Sequence, residues 1–232
     1  MKRFSNRNIH KDLRSEMEIT KHIELIDGSF CNVYIVKDVD GYVLIDSGSI
    51  NNTIKVLNYL KEKSLRSEDC KGIIITHHHR DHIGCLAELK DTLKTKVIAH
   101  KLEAPYIDGR IRSQRTTGIE YVNVDVEVED GNVIYGMKVI HTPGHTPGSI
   151  CLYHQEDKAL FVGDLIVNEN NVLMEIPTHY SMNPNQNRES IEKIYRELEF
   201  EIALPSHGQP ITSKARERIG ELIKKFKQTT SY

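Results

Sequence analysis

A short apolar run, Gly72-Ile73-Ile74-Ile75-Thr76, leads directly into His77-His78-His79-Arg80-Asp81-His82. A continuous run of this length, bounded by polar residues, reads as a buried parallel strand. At the carboxyl end of such a strand, side chains project into a crevice and not into the core. His77 and His79 are two residues apart, so an extended loop points both imidazoles the same way. Asp81 and His82 open the next helix and face a neighbouring point. One segment therefore offers three imidazoles and a carboxylate at two adjacent places. Imidazole nitrogen and carboxylate oxygen suit zinc, and equally iron or manganese. His78 alternates away from His77 and His79 and reads as structural.

Three other regions can complete metal sites. His145 lies in His141-Thr142-Pro143-Gly144-His145-Thr146-Pro147-Gly148-Ser149, Asp164 follows Leu160-Phe161-Val162-Gly163, and His207 lies in Leu204-Pro205-Ser206-His207-Gly208. Each stands where a strand gives way to a Gly- or Pro-containing loop. Glycine permits close backbone approach and proline fixes the turn.

The surrounding pattern is α/β. Strands are expected at 16–26, 32–36, 42–45, 72–76 and 96–99, with helices from Asn51 or Asn52 to Lys63 and over 83–93. Ile54, Leu57 and Leu60 would form the buried face of the first helix. Residues 101–118 read as a short helix and a mobile loop. Strands at 122–128, 133–134 and 137–141, a hairpin of 149–154 with 158–162, a helix over 186–198, a strand at 202–204 and a helix over 213–227 complete the chain. The repeat of strands followed by helices predicts two sheets packed face to face with helices outside. No linker divides the 232 residues, so one domain spans 1–232, with 1–16 as a flexible N-terminal segment.

Composition narrows the partners. Lys plus Arg is 31 and Asp plus Glu is 33, a net charge of −2. Without a basic excess or stripe, nucleic acid is not the expected partner, and a small-molecule substrate is. No apolar run approaches the ~20 residues that span a membrane. The polar N-terminus lacks the apolar core of a signal peptide. The four cysteines form no C-x-x-C pair and read as reduced, buried thiols. The expected location is the cytoplasm. Oligomeric state is open.

As an ordered set, Asp46-Ser47-Gly48, the His77–His82 block, Thr142-Pro143-Gly144-His145, Gly163-Asp164 and Ser206-His207-Gly208 resemble the metallo-β-lactamase superfamily. The similarity runs from about Asn32 to Gly208. The resemblance implies a four-layer αβ/βα sandwich with two divalent metal ions, zinc or alternatively iron or manganese, at one edge. His77, His79 and His145 would hold one ion, Asp81, His82 and His207 the other, and Asp164 would bridge them. Asp46 would stand behind, steadying a ligand. Asp81 would act catalytically, orienting a metal-bridging hydroxide or passing its proton onward.

Many antibiotic-hydrolysing members carry a cysteine in place of Asp164 and lack a histidine ligand at His82. The present set is more similar to hydrolases of thioesters, lactones and phosphate esters. Hydroxyacylglutathione hydrolase (glyoxalase II) shares Thr76-His77-His78-His79 and the full ligand set, but its glutathione-gripping basic residues have no match here. The lactonase branch places a tyrosine shortly after the bridging aspartate, where this chain has Leu165-Ile166-Val167. Two readings stand beside the small ester, thioester or lactone hydrolase: an iron-dependent oxidoreductase similar to persulfide dioxygenases, and a non-catalytic metal-binding relative.

The remaining polar residues have plainer readings. His141 is structural or steadies a ligand from behind, and His10, His22, His100 and His154 are surface residues. Arg110, Arg112 and Arg115 form a solvated face, with an anion-binding lid as the second reading. His179 and Tyr180 are the substrate-contact candidates, and 101–118 and 166–187 are the expected pocket walls.

Overall fold

The computed structural model describes residues 16–26, 28 and 30–229. The N-terminal segment expected at 1–16, apart from Glu16, and His10 lie outside the described residues. The first half of the chain runs β1 (Glu16–Glu18), β2 (Ile23–Ile26), β3 (Val33–Asp38), β4 (Gly41–Ile45), α1 (Thr53–Glu62), β5 (Cys70–Ile75), α2 (Leu86–Leu93), β6 (Val97–His100), α3 (Ala104–Ile107) and β7 (Val126–Val128). Its strands form one seven-stranded sheet in chain order, antiparallel as far as β4 and parallel from β4 to β7. The second half runs β8 (Val133–Ile134), β9 (Met137–His141), β10 (Ile150–His154), β11 (Ala159–Gly163), β12 (Ile166–Glu169), β13 (Val172–Glu175), α4 (Pro184–Glu197), β14 (Ile202–Pro205) and α5 (Ala215–Thr229). Five of these strands form the second sheet in the order β14-β11-β10-β9-β8, and β12 pairs with β13 in a separate hairpin.

Alternation along each strand builds the layers. Val33 and Ile35 of β3 pack with Val56, Tyr59 and Leu60 of α1 and with Leu86 and Leu89 of α2. The intervening Tyr34 and Val36 turn the other way, toward Met137, Leu152 and Phe161 of the second sheet. On β11, Ala159 and Phe161 face that central core, whereas Leu160 and Val162 pack against Ile191 and Ile194 of α4 and Ile219 of α5. Both faces of both sheets are therefore buried, which is why the strands read as nearly continuous apolar runs. The layers are helix, sheet, sheet, helix, as the sandwich requires. Each fully buried Ile or Leu contributes roughly 1.5–3 kcal/mol through removal from water.

Several boundaries differ from the sequence-based expectation, each for a local reason. The strand expected over 16–26 is two strands, because a turn forms in which the Ile19 and Thr20 N–H groups both bond the Ile23 carbonyl. In α1 the inward face is Val56, Tyr59 and Leu60, and Ile54 is 73% exposed. The Tyr59 hydroxyl donates to buried Glu24 at 2.6 Å, which rotates that aromatic inward. Helix α2 begins at Leu86, three residues late, because the His79 carbonyl accepts from both His82 and Ile83 and holds a turn there. The strand expected over 122–128 forms only at Val126–Val128. A hairpin occupies part of the loop expected over 166–187: Asn170 and Asn171, at φ 51° and 65°, make its turn. Asparagine tolerates that left-handed backbone, as two-residue hairpins demand.

Candidate metal centre

Strands β4, β5, β9, β11 and β14 deliver their carboxyl ends to one edge of the sandwich. In the first sheet β4 and β5 are parallel. In the second, β11 and β14 are parallel, and β9 points the same way because both β9 and β11 are antiparallel to β10. The residues that follow these ends are Asp46, Thr76 with the histidine block, the 142–149 loop, Asp164, and Ser206-His207. The 142–149 loop sits tightly on α4. Ser190 Oγ donates to the Pro143 carbonyl at 2.7 Å, and the Asn183 N–H donates to the Gly144 carbonyl at 2.8 Å. Gly144 has φ +135°, and a Cβ there would stand 2.2 Å from the Asn187 nitrogen, so no other residue fits without backbone movement.

The expected donor atoms converge in two sets. His145 Nε2 lies 3.1 Å from His77 Nε2 and 2.9 Å from His79 Nδ1. Asp164 Oδ2 joins them, 3.3 Å from His145 Nε2 and 3.8 Å from His77 Nε2. The other oxygen of the same carboxylate, Oδ1, stands 3.3 Å from both His82 Nε2 and His207 Nε2. Asp81 Oδ2 closes the second set, 3.2 Å from His207 Nε2 and 3.7 Å from His82 Nε2. Atoms bound to one tetrahedral ion at about 2.0–2.1 Å stand roughly 3.3 Å from one another, and both sets have that spacing. Asp164 Oδ1 is buried, and among the described residues it has no partner at hydrogen-bond geometry. A buried carboxylate oxygen placed between two imidazoles fits a cation.

The electrostatics of the two sets differ. Burial drives the His77 ring well below the ordinary imidazole value, His79 to about 2 and His145 to about 4. These rings are neutral, the form a metal needs. Burial acts in the same direction on His82 and His207, but there the carboxylates outweigh it. His82 is lifted well above the usual range, and His207, beside Asp164 and Asp81, is raised to about 10. Burial likewise opposes ionisation of Asp81 and Asp164, yet the neighbouring His82 and His207 hold Asp81 at about 2 and Asp164 well below the usual carboxylate range. The second set concentrates negative charge that must be balanced by protonated imidazoles or by a cation that displaces their protons.

Outer contacts set the ring orientations. Asp46 Oδ2 stands 2.8 Å from His82 Nδ1, which leaves Nε2 for the cluster. Asp46 is itself held by the Thr76 N–H and hydroxyl, each at 2.8 Å. Its φ of 62° is one that aspartate tolerates better than most residues. His207 Nδ1 donates to the Phe30 carbonyl at 2.7 Å, which again leaves Nε2 inward.

Glu103 carries no sequence signal, because it sits in a polar segment read as a short helix and a mobile loop; it stands just before the short helix Ala104–Ile107. It is fully buried, and it accepts from the His78 N–H at 2.8 Å, the Gly148 N–H at 2.7 Å and the Thr146 hydroxyl at 2.9 Å. It also pairs with His78 Nδ1. One carboxylate thereby ties the 77–82 loop to the 142–149 loop. His78 stacks on Tyr106 at 4.1 Å, in keeping with a structural role.

Two of the histidines expected at the surface are not there. His100 is buried and stacks on His141 at 4.3 Å, and His154 is buried beside Asp157. His22, also expected at the surface, is half-buried against the same Asp157. His141 Nε2 donates to the Pro147 carbonyl at 2.9 Å and braces the loop. The Met182 N–H bonds the His145 carbonyl at 3.1 Å, which sets the turn bearing His179 and Tyr180 against a ligand loop. Arg110, Arg112 and Arg115 are exposed, as a solvated face requires, and Arg115 lies over the exposed Tyr180 ring at 5.6 Å.

A sequence profile of the metallo-beta-lactamase superfamily matches residues 26–207, and the chain belongs to that superfamily. It is thereby a member of a group of metallo-hydrolases whose fold holds two metal ions. The probable metallo-hydrolase YflN of Bacillus subtilis (strain 168) is 28% identical over 232 residues, covering 85% of this chain and 88% of its own length. A hydroxyacylglutathione hydrolase of Pelagibacter ubique (strain HTCC1062) is 33% identical over 114 residues, 48% of this chain and 41% of that enzyme. The crystal structure of TTHA1623 in a di-iron-bound form superposes with a TM-score of 0.67 at 27% identity, covering 83% of this chain and 93% of that one. Among the described residues no helix is long and apolar enough to cross a membrane.

Proposed function

We propose that this chain is a dinuclear metal-dependent hydrolase of a small ester, thioester or lactone. One observation carries the reading: Asp164 offers one oxygen to His77, His79 and His145 and the other to Asp81, His82 and His207. When bound, a pair of divalent cations supplies Lewis acidity and a hydroxide nucleophile near neutral pH. The protein's own residues do the rest. Asp81, ionised and one-fifth exposed, is the carboxylate at the open side of the site, where the oxygen not turned to the cluster can accept a proton and pass it to solvent. Asp46 and the Phe30 carbonyl keep Nε2 of His82 and His207 turned inward. Phe30 is 69% exposed and packs edge-on against His207, and Tyr180 and Met182 are exposed beside the His145 loop. These side chains, with His179, give the mouth of the site an apolar rim suited to an acyl group.

Among the described residues no cysteine is placed to act as a competing nucleophile. All four cysteines are buried, and burial pushes Cys31 and Cys151 up to about 12. A thiol so protonated is inert.

The thioester reading draws on the relative that cleaves hydroxyacylglutathione, but the match spans less than half of that enzyme. A thioester smaller than a glutathione conjugate is therefore the proposed form. The di-iron-bound neighbour favours iron as an alternative occupant, since the same nitrogen and oxygen donors suit both metals. A one-iron oxygenase would leave the complete second set unexplained.

Asp164→Ala and His79→Ala tests the proposal. Stripped and reconstituted with Zn2+ or Fe2+, either variant should lose hydrolysis of a panel of thioesters, lactones and phosphodiesters while keeping its circular dichroism spectrum. Turnover at the wild-type rate by either variant would refute the assignment.

A further inference from the structure

Two tight turns meet at the end of the sandwich remote from the metal centre. The first joins β1 to β2 and carries His22. The second joins β10 to β11, is closed by the Lys158 N–H on the Gln155 carbonyl, and carries Asp157, with His154 just before it. Strand β11 separates the two ends, running from Ala159 here to Gly163 beside Asp164.

His22 Nδ1 stands 3.0 Å from Asp157 Oδ1, and His154 Nδ1 stands 3.3 Å from Asp157 Oδ2. One donor atom from each of the three side chains lies within 4.8 Å of the other two. The rings are tilted at 60° with centroids 5.4 Å apart, so they converge on the carboxylate without stacking. Glu156 Oε1 is 3.6 Å from His22 Nε2. His22 Nδ1 is also 3.1 Å from Asp157 Oδ2, and the Thr20 hydroxyl donates to that oxygen at 2.7 Å, which holds the carboxylate between the two rings.

A cavity of about 400 Å³ opens beside the cluster, lined by His22, His154, Glu156, Lys37 and Lys71 among others. Tyr42 also lines it.

We propose that His22, His154 and Asp157 form a mononuclear site for Zn2+ or a similar borderline divalent cation, with its fourth position open to this cavity. Two nitrogens and one carboxylate oxygen with an open position are a known zinc set. The site shares no residue with the dinuclear centre, and its occupancy does not depend on the hydrolase reading.

Zinc content tests it. The full chain is stripped with EDTA, reloaded with ZnCl2, passed through gel filtration and analysed by mass spectrometry of the metal. Wild type should hold one equivalent more than His22→Ala with Asp157→Asn, and that variant should keep the wild-type hydrolytic rate. A His79→Ala, Asp164→Ala double variant should still retain about one equivalent, lost on adding Asp157→Asn. If the triple change fails to fold, His22→Ala alone, in a half-exposed turn, should lower zinc content by the same single equivalent. Equal zinc in wild type and in the folded His22 variants would overturn the site, as would a His79→Ala, Asp164→Ala protein that holds none.

Discussion

Replacing Glu103 by glutamine tests how the metal centre is held together. The carboxylate is fully buried and receives four donors: the His78 N–H and ring, the Thr146 hydroxyl and the Gly148 N–H. Glutamine keeps the shape but offers one oxygen, and its NH2 group faces donors. At least two buried donors lose their acceptor, at about 1–3 kcal/mol each. Partial relaxation of the loops puts the net cost near 3 kcal/mol, a large fraction of the roughly 5–15 kcal/mol that holds a typical domain together. For a chain of this size that corresponds to a melting temperature lower by roughly 6–12 °C. The same change loosens His78, which lies between His77 and His79, from the loop that carries His145. Zinc affinity at those three rings should therefore fall by roughly 10-fold or more, the range seen when outer contacts of metal ligands are removed. Thermal unfolding of the zinc-loaded protein and competition with a chromophoric chelator measure both effects. A Glu103→Gln protein that melts within about 2 °C of wild type and binds zinc equally well would show that Glu103 does not brace the site.

Further perturbations have similarly specific outcomes. Asp46→Asn should weaken metal binding at the Asp81, His82 and His207 set by roughly 10–100-fold, as competition titration would show, because His82 Nδ1 loses its charged acceptor. Gly144→Ala should destabilise the protein by more than about 2 kcal/mol in urea unfolding, since the new Cβ meets the Asn187 backbone in a left-handed conformation. Glu24 is buried, but its bonds from Lys37 and Tyr59 outweigh burial and hold its carboxyl below the ordinary value. Its contribution is present above the unfolded value of about 4.3 and is lost as pH falls through the folded one. Glu24→Gln should therefore flatten the loss of stability measured by urea titration between about pH 5 and pH 2.

The parts of this fold that could be read from the sequence are those where one periodicity dominates. The Ile73–Ile75 run is buried on both faces and has no other reading than an interior strand. The candidate ligand residues are legible because each follows such a strand, His77 directly after the Ile73–Thr76 run and His145, Asp164 and His207 beside a Gly or Pro turn. Glu103 was invisible because its partners lie 25 to 45 residues away in two other loops. Asn170-Asn171 signals a hairpin, yet its flanking strands are only four residues each, too short for alternation to mark them. The inward turn of Tyr59 depends on Glu24, a contact across 35 residues that helical periodicity does not encode. His100 and His154 were misplaced for the same reason: burial of a lone histidine is decided by its tertiary neighbours, here His141 and Asp157.

Anomalous diffraction from crystals of the zinc-loaded protein, collected at the zinc absorption edge, tests the central claim most directly. Two peaks should appear at the carboxyl edge of the sheets. One should lie about 2.0–2.1 Å from nitrogens of His77, His79 and His145, the other at similar distances from Asp81, His82 and His207, with Asp164 between them. A single peak there, or none within bonding distance of Asp164, would contradict the account.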